Sequence, residues 1–312
     1  NAQRMCAAAA AAIGCSPRDV LVSSTGVIGQ TLRVQVVEEG MPALYAALER
    51  SGSASDAAAH AIMTTDTEKK EAAVETVIGG RTVRMGGIAK GSGMIHPNMG
   101  TMLCFLTTDC AISPEMIRKA LLETVSVTFN RISVDGDTST NDSCLVLANG
   151  LAGNETITAP GPDYDAFLEA LKALCGLLAR KMASDGEGAK HLITCTVSGA
   201  ASEKSAETIA KSVISSTLTK AAVFGADYTL YCLPWAVQEQ LTALREHLDK
   251  VSGPLEQRRA TAWLGSTDTL SLCTTLAGQL NSGRISLACL PGSPSLPETL
   301  SAAYCAVVAG EE

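Results

Sequence analysis

Gly100 and Thr101 are the residues whose types and placement point most directly to chemistry. They close the Gly-rich stretch Lys90-Gly91-Ser92-Gly93-Met94-Ile95-His96-Pro97-Asn98-Met99-Gly100-Thr101. The apolar run Met102-Leu103-Cys104-Phe105-Leu106 follows directly and reads as a buried strand. A hydroxyl at such a turn–strand junction can reach its own preceding carbonyl. Glycine accepts the strained backbone that this approach asks for. The expectation is that the chain cuts itself between Gly100 and Thr101, and that the freed Thr101 is a nucleophile.

Other candidates carry less by themselves. Val20-Leu21-Val22-Ser23-Ser24 reads as a short β run, and Thr25-Gly26-Val27-Ile28-Gly29 as the glycine-punctuated turn after it. Such a turn can offer backbone N–H groups to an anion or an oxyanion, but taken alone it is read as a plain strand-to-helix turn. Taken singly, Lys90 reads as a surface charge, Glu187 as a loop acid and Thr25 as a helix cap. Asp135, Asp137, Asn141 and Asp142 invite a calcium loop. Their spacing departs from the EF-hand pattern, so a hydrogen-bonded turn network is expected instead. His60, His96, His191 and His247 share no metal-ligand spacing, and no Gly-x-Ser-x-Gly elbow, Walker loop or dinucleotide fingerprint occurs. Neither a metal nor a resident cofactor is expected.

The elements that must position these residues follow from periodicity. Helices are expected over residues 2–13, 31–50, 55–63, 115–129, 163–182, 202–215 and 234–250. In the 163–182 helix, Phe167, Leu168, Leu171, Leu174 and Leu177 form the apolar face. Residues 74–78 and 81–85, joined by Gly79-Gly80, read as a hairpin with a two-residue turn. Residues 144–148 and 192–197 read as further strands. Alternating strands and helices indicate an α/β fold.

Composition narrows the class. The chain has 312 residues, 46% hydrophobic and 18% charged, as expected of globular protein. Its net charge of -8 and 4% aromatic content argue against nucleic acid or an anionic membrane surface as partner. Eleven cysteines without any Cys-x-x-Cys read as buried free thiols in a reducing, cytoplasmic setting. No apolar run approaches a membrane span, and the start lacks a secretion-signal profile. The chain begins without Met, and is read as missing its front end.

The stretch from Lys90 to Leu103 resembles the ornithine acetyltransferase (glutamate N-acetyltransferase) family of arginine biosynthesis. Residues 23–29, Met63-Thr64-Thr65-Asp66-Thr67, the 133–143 cluster and Asp185-Gly186-Glu187-Gly188-Ala189 look like further family signatures, in order. The resemblance covers roughly residues 1–227. Beyond Phe224-Gly225-Ala226-Asp227 the family continues Asn-Trp-Gly-Arg, whereas this chain reads Tyr228-Thr229-Leu230-Tyr231-Cys232.

The resemblance implies a sandwich of two sheets flanked by helices (αββα, of the N-terminal-nucleophile kind), with a smaller C-terminal α/β domain. It implies self-cleavage at Gly100–Thr101, with the two fragments staying together and two such pairs assembling as a heterotetramer. Thr101 is then the nucleophile, Thr25 and Gly26 form the oxyanion hole, and Thr64, Lys90, Thr101 and Glu187 contact substrate. The implied reaction moves an acetyl group from N-acetylornithine to glutamate, with acetyl-CoA as a further donor, through an acetyl-threonine ester. Two other readings stay open at this point. One is a hydrolase or aminopeptidase that uses the same Thr101. The other is an inactive, truncated homologue.

Overall fold

The computed structural model describes residues 1–96 and 102–225, together with the backbone of 285–286 and 304–309. The expected helix over 234–250 lies outside the described residues. The chain divides into two compact units, Asn1–Asn130 with Asp137–Glu187, and Arg131–Gly136 with Gly188–Glu312.

The first unit opens with helix α1 (Ala2–Ile13), which ends where Gly14 takes a left-handed conformation and caps Ala10 O. Helix α2 (Val34–Ala46) packs on α1, and α3 (Gly52–Ala61) follows. Two corrections arise here. Residues 20–24 form no strand, because no neighbouring strand offers them a ladder. Helix α3 begins at Gly52 rather than Ser55, since the Ser51 hydroxyl accepts the Ala54 N–H and starts the helix early.

Strands β1 (Lys70–Ile78) and β2 (Arg81–Lys90) form the expected hairpin. Gly79 and Gly80 both have positive φ, 54° and 75°, as a tight two-residue turn demands. Strand β3 (Leu103–Thr108) pairs antiparallel with β2, and β4 (Ser143–Ala148) pairs parallel with β3. The order is therefore β1-β2-β3-β4. The parallel step needs a crossover, and α4 (Pro114–Val127) supplies its helix. Ser113 caps α4 through the Met116 N–H, with Pro114 at the first position.

The long helix α5 (Pro162–Ser184) lies on β1 and β2. It buries Phe167, Leu168, Leu171, Leu174, Cys175, Leu178 and Met182. Leu177, placed on that face from the sequence, is 48% exposed, and its neighbour Leu178 takes the core position instead. A run of adjacent leucines leaves the phase of a helix ambiguous by one residue.

The second unit holds β5 (Ile193–Ser198), α6 (Glu203–Ser215) and α7 (Thr217–Phe224). Helix α6 covers β5, with Val213 packed against Ile193, Cys195 and Val197. Strand β7 (Tyr304–Ala309) lies between β5 and β6 (Ile285–Ser286). Sheet with flanking helices makes the fold mixed α/β. Among the described residues, no helix is long and apolar enough to cross a membrane.

Candidate active site

Gly100 and Thr101, the proposed cleavage pair, lie outside the described residues, as does all of 97–101. The chain on both sides of that stretch is described. One loop, 133–143, holds both flanks: Thr138 Oγ1 donates to His96 O at 3.0 Å, and the Met102 amide donates to Asp142 Oδ1 at 2.7 Å. The same loop reaches the candidate oxyanion segment, where Asn141 Nδ2 donates to Thr25 Oγ1 at 3.5 Å. Ser139 Oγ meets the Asn141 side-chain oxygen and accepts the Asn141 N–H. Asn141 and Asp142 thus take part in hydrogen bonds that brace the start of β3. Among the described residues, no group of three or more potential ligands is arranged to hold a metal ion.

The first unit also holds a buried ion triad. Lys70, 1% exposed, donates to Asp66 Oδ1 at 2.6 Å and to Asp185 Oδ2 at 2.5 Å. Asp66 also accepts the Thr64 N–H (3.1 Å) and the Gly91 N–H (2.7 Å). Asp185 accepts the N–H groups of Thr67 and Glu68 and the Thr67 hydroxyl. Burial pushes both carboxyls up, but bonds from Lys70, from Thr67 and from backbone amides hold them below the usual carboxylate value. The triad therefore binds together the three segments that carry Thr64, Lys90 and Glu187.

Sequence reasoning passed over Lys70. Its signal was available, because Lys70 shares the inward face of β1 with Ile78 at even spacing. A lysine on such a face needs paired acids.

Lys90 proves to be no surface charge; it is 3% exposed at the end of β2. Burial pulls its ammonium below the ordinary lysine value, against the opposing pull of Asp66, Asp142 and Glu187. No carboxylate among the described residues lies within direct ion-pair distance of it. Glu187, on an exposed loop position, is anchored by its N–H to Ser92 O at 2.9 Å, while the Ser92 hydroxyl donates to Asp185 O. The Glu187 carboxyl lies over Gly93, where an added Cβ would come within 2.5 Å of it. A buried cation and an anion thus stand on either side of the Gly91–Gly93 turn. Thr64 is exposed beside them, and Gly26 is exposed in the Thr25 segment.

The ArgJ family matches residues 1–231. The chain belongs to the ArgJ family. Among its relatives, the arginine biosynthesis bifunctional protein ArgJ of Symbiobacterium thermophilum is 52% identical over 227 residues, covering 73% of this chain and 56% of the relative. The protein of the same name from Bacillus subtilis is 49% identical over 218 residues, covering 70% and 53%. The chain spans about half the length of these curated relatives. A crystal structure of the argJ protein from Bacillus halodurans matches at 43% identity and a TM-score of 0.40, over 43% of this chain and 63% of that one. For an ArgJ-family chain, the matched region takes in every candidate site residue named above.

Proposed function

We propose that this chain is an acetyltransferase of arginine biosynthesis that moves an acetyl group from N-acetylornithine to glutamate. The observation that carries the reading is Lys90: a buried ammonium without a direct carboxylate partner among the described residues, set across a glycine turn from the Glu187 carboxyl. An amino-acid substrate carries the complementary pair, a carboxylate for Lys90 and an ammonium for Glu187. Family membership supplies the rest of the reading.

In this proposal the chain cuts itself between Gly100 and Thr101. The new α-amine, with a reference pKa of about 8, accepts the Thr101 hydroxyl proton as the oxygen attacks the acetyl carbonyl. N–H groups at Thr25 and Gly26 would face the developing oxyanion, each worth roughly 3–4 kcal/mol in such sites. Collapse expels ornithine, which takes up the proton, and leaves acetyl-Thr101. The glutamate amine then attacks the ester and the steps run in reverse. Acetyl-CoA is a further candidate donor. The two fragments stay associated in pairs that assemble into a heterotetramer in the cytoplasm. The wider architecture proposed is the αββα sandwich over residues 1–190, with a separate C-terminal domain over 191–312.

Two measurements test this. Ornithine release from N-acetylornithine should depend on glutamate, and intact-mass analysis should find acetyl on the fragment that begins at Thr101. Release that ignores glutamate would favour hydrolysis over transfer. Gly93→Ala supplies the second test. Its new methyl group displaces the Glu187 carboxyl, so KM for N-acetylornithine should rise roughly 10-fold, the value of one charge-assisted hydrogen bond. An unchanged KM would remove Glu187 from the substrate.

A further inference from the structure

Cys104 on β3 and Cys144 on β4 are direct partners in the register of these two parallel strands. In-register neighbours on adjacent strands lie roughly 5 Å apart and send their side chains to the same face. That spacing falls within the span a disulfide bridges. Both residues are free thiols, and their sulfurs are already in contact. The Cys104 thiol is held well above its ordinary value, first by its hydrogen bond to Cys144 and then by burial. A bond that favours the protonated form makes Cys104 the donor and the Cys144 sulfur the acceptor.

The pair is unequal towards water. Cys104 is 0% exposed on β3, which has a strand on either side of it. Cys144 is half-buried on β4, the outer strand of the four. A third thiol, Cys175 on α5, lies near Cys144 but is buried, and burial pushes it up. A reagent arriving from solvent therefore meets Cys144 first. Small apolar side chains would fill the same space, but two touching sulfurs, one of them within reach of water, add a chemistry that such side chains lack.

We propose that Cys104 and Cys144 form an oxidation site, at which a hydroperoxide converts the pair, through a sulfenic acid on Cys144, into a disulfide that staples β3 to β4. The inference goes beyond acetyl transfer and does not rest on it. The Cys144 sulfur, as thiolate, attacks one peroxide oxygen, and the O–O bond breaks. The departing oxygen takes up the proton that Cys144 gave to solvent. The Cys104 sulfur then attacks Cys144 Sγ, the S–O bond breaks, and the Cys104 proton leaves with the hydroxide as water. The two thiols lose two electrons between them, and one hydroperoxide is reduced to an alcohol and water. The staple falls beside the candidate site, since Ser143 N–H donates to Met102 O at 3.0 Å just ahead of it.

The test uses the folded, fully reduced full chain with hydrogen peroxide as the probe. Remaining thiols are then alkylated, the protein is digested without reductant, and fragmentation of the linked peptides identifies the joined sulfurs. Exposed Cys15 reports that the peroxide is active. The Cys104–Cys144 link should exceed any other by roughly tenfold or more, because touching sulfurs react as an intramolecular pair, and dithiothreitol should remove it. Cys104→Ala should abolish the link and leave Cys144 as a sulfenic acid that dimedone traps, whereas Cys175→Ala should bridge as wild type does. A wild-type map in which Cys144 joins Cys110 or Cys175, is oxidised without a bridge, or stays reduced while Cys15 is oxidised overturns the assignment. Should Cys104→Ala lose the wild-type circular dichroism, the wild-type map alone decides.

Discussion

Thr101→Ala is expected to leave the 312-residue chain in one piece and without transferase activity. In the proposed mechanism, removing the hydroxyl takes away the atom that attacks Gly100 and the atom that carries the acetyl group. Because cleavage never occurs, the α-amine that would serve as base is never made either. Losing a nucleophile and its base together costs no more than losing one, since they act as a unit, and the drop in kcat should be roughly 10⁴-fold or more. A denaturing gel and a steady-state assay on the same preparation read both effects. Two fragments from Thr101→Ala, cut at the same bond, would show that another residue performs the cleavage.

The largest expected effect on stability comes from Lys70→Met. The substitution leaves Asp66 and Asp185 facing one another with no cation between them, on side chains that are 0% and 10% exposed. Breaking a buried pair by removing one partner costs about 3–5 kcal/mol, because the remaining charge has neither water nor counter-ion. The melting temperature should fall by roughly 10 °C for a unit of this size.

The pH dependence has a definite sign. Both carboxyls are held below the ordinary value in the folded chain, so their contribution is present above the unfolded carboxylate pKa, about 4. It is lost as pH falls through the lowered folded value. In Lys70→Met one cause of the lowering is gone while burial and the amide and Thr67 bonds remain, so the acids protonate at higher pH than in wild type. The gap between wild type and variant should therefore be widest near pH 7 and narrow towards pH 4. Thermal unfolding followed at several pH values measures it. A gap that does not change with pH would mean that lost packing, rather than stranded charge, sets the cost.

Local patterns were legible where a residue acts through its own backbone or its nearest neighbours. Gly79-Gly80 marked its turn because two consecutive positive φ values exclude most other residues. Ser113-Pro114 marked the start of α4 for an equally local reason. Errors arose where the deciding partner is far away in sequence. Residues 20–24 have β propensity, but a strand needs a neighbour to pair with, and propensity does not say whether one arrives. Leu177 and Leu178 are adjacent and chemically identical, so only the placement of β1 and β2 under α5 decides which is buried.

The candidate site divides along the same line. The stretch proposed as catalytic, with Gly100 before Thr101, is a reading of the linear chain alone, since residues 97–101 lie outside the described residues. The depth of Lys90 and the triad of Asp66, Lys70 and Asp185 rest on tertiary packing, with Lys70 and Asp185 bonded across 115 positions. Charge in a sequence carries no record of its dielectric surroundings. Folding alone sets the distance to water and to the nearest opposite charge, and these decide whether a lysine is a solvated surface group or a buried cation that awaits an anion.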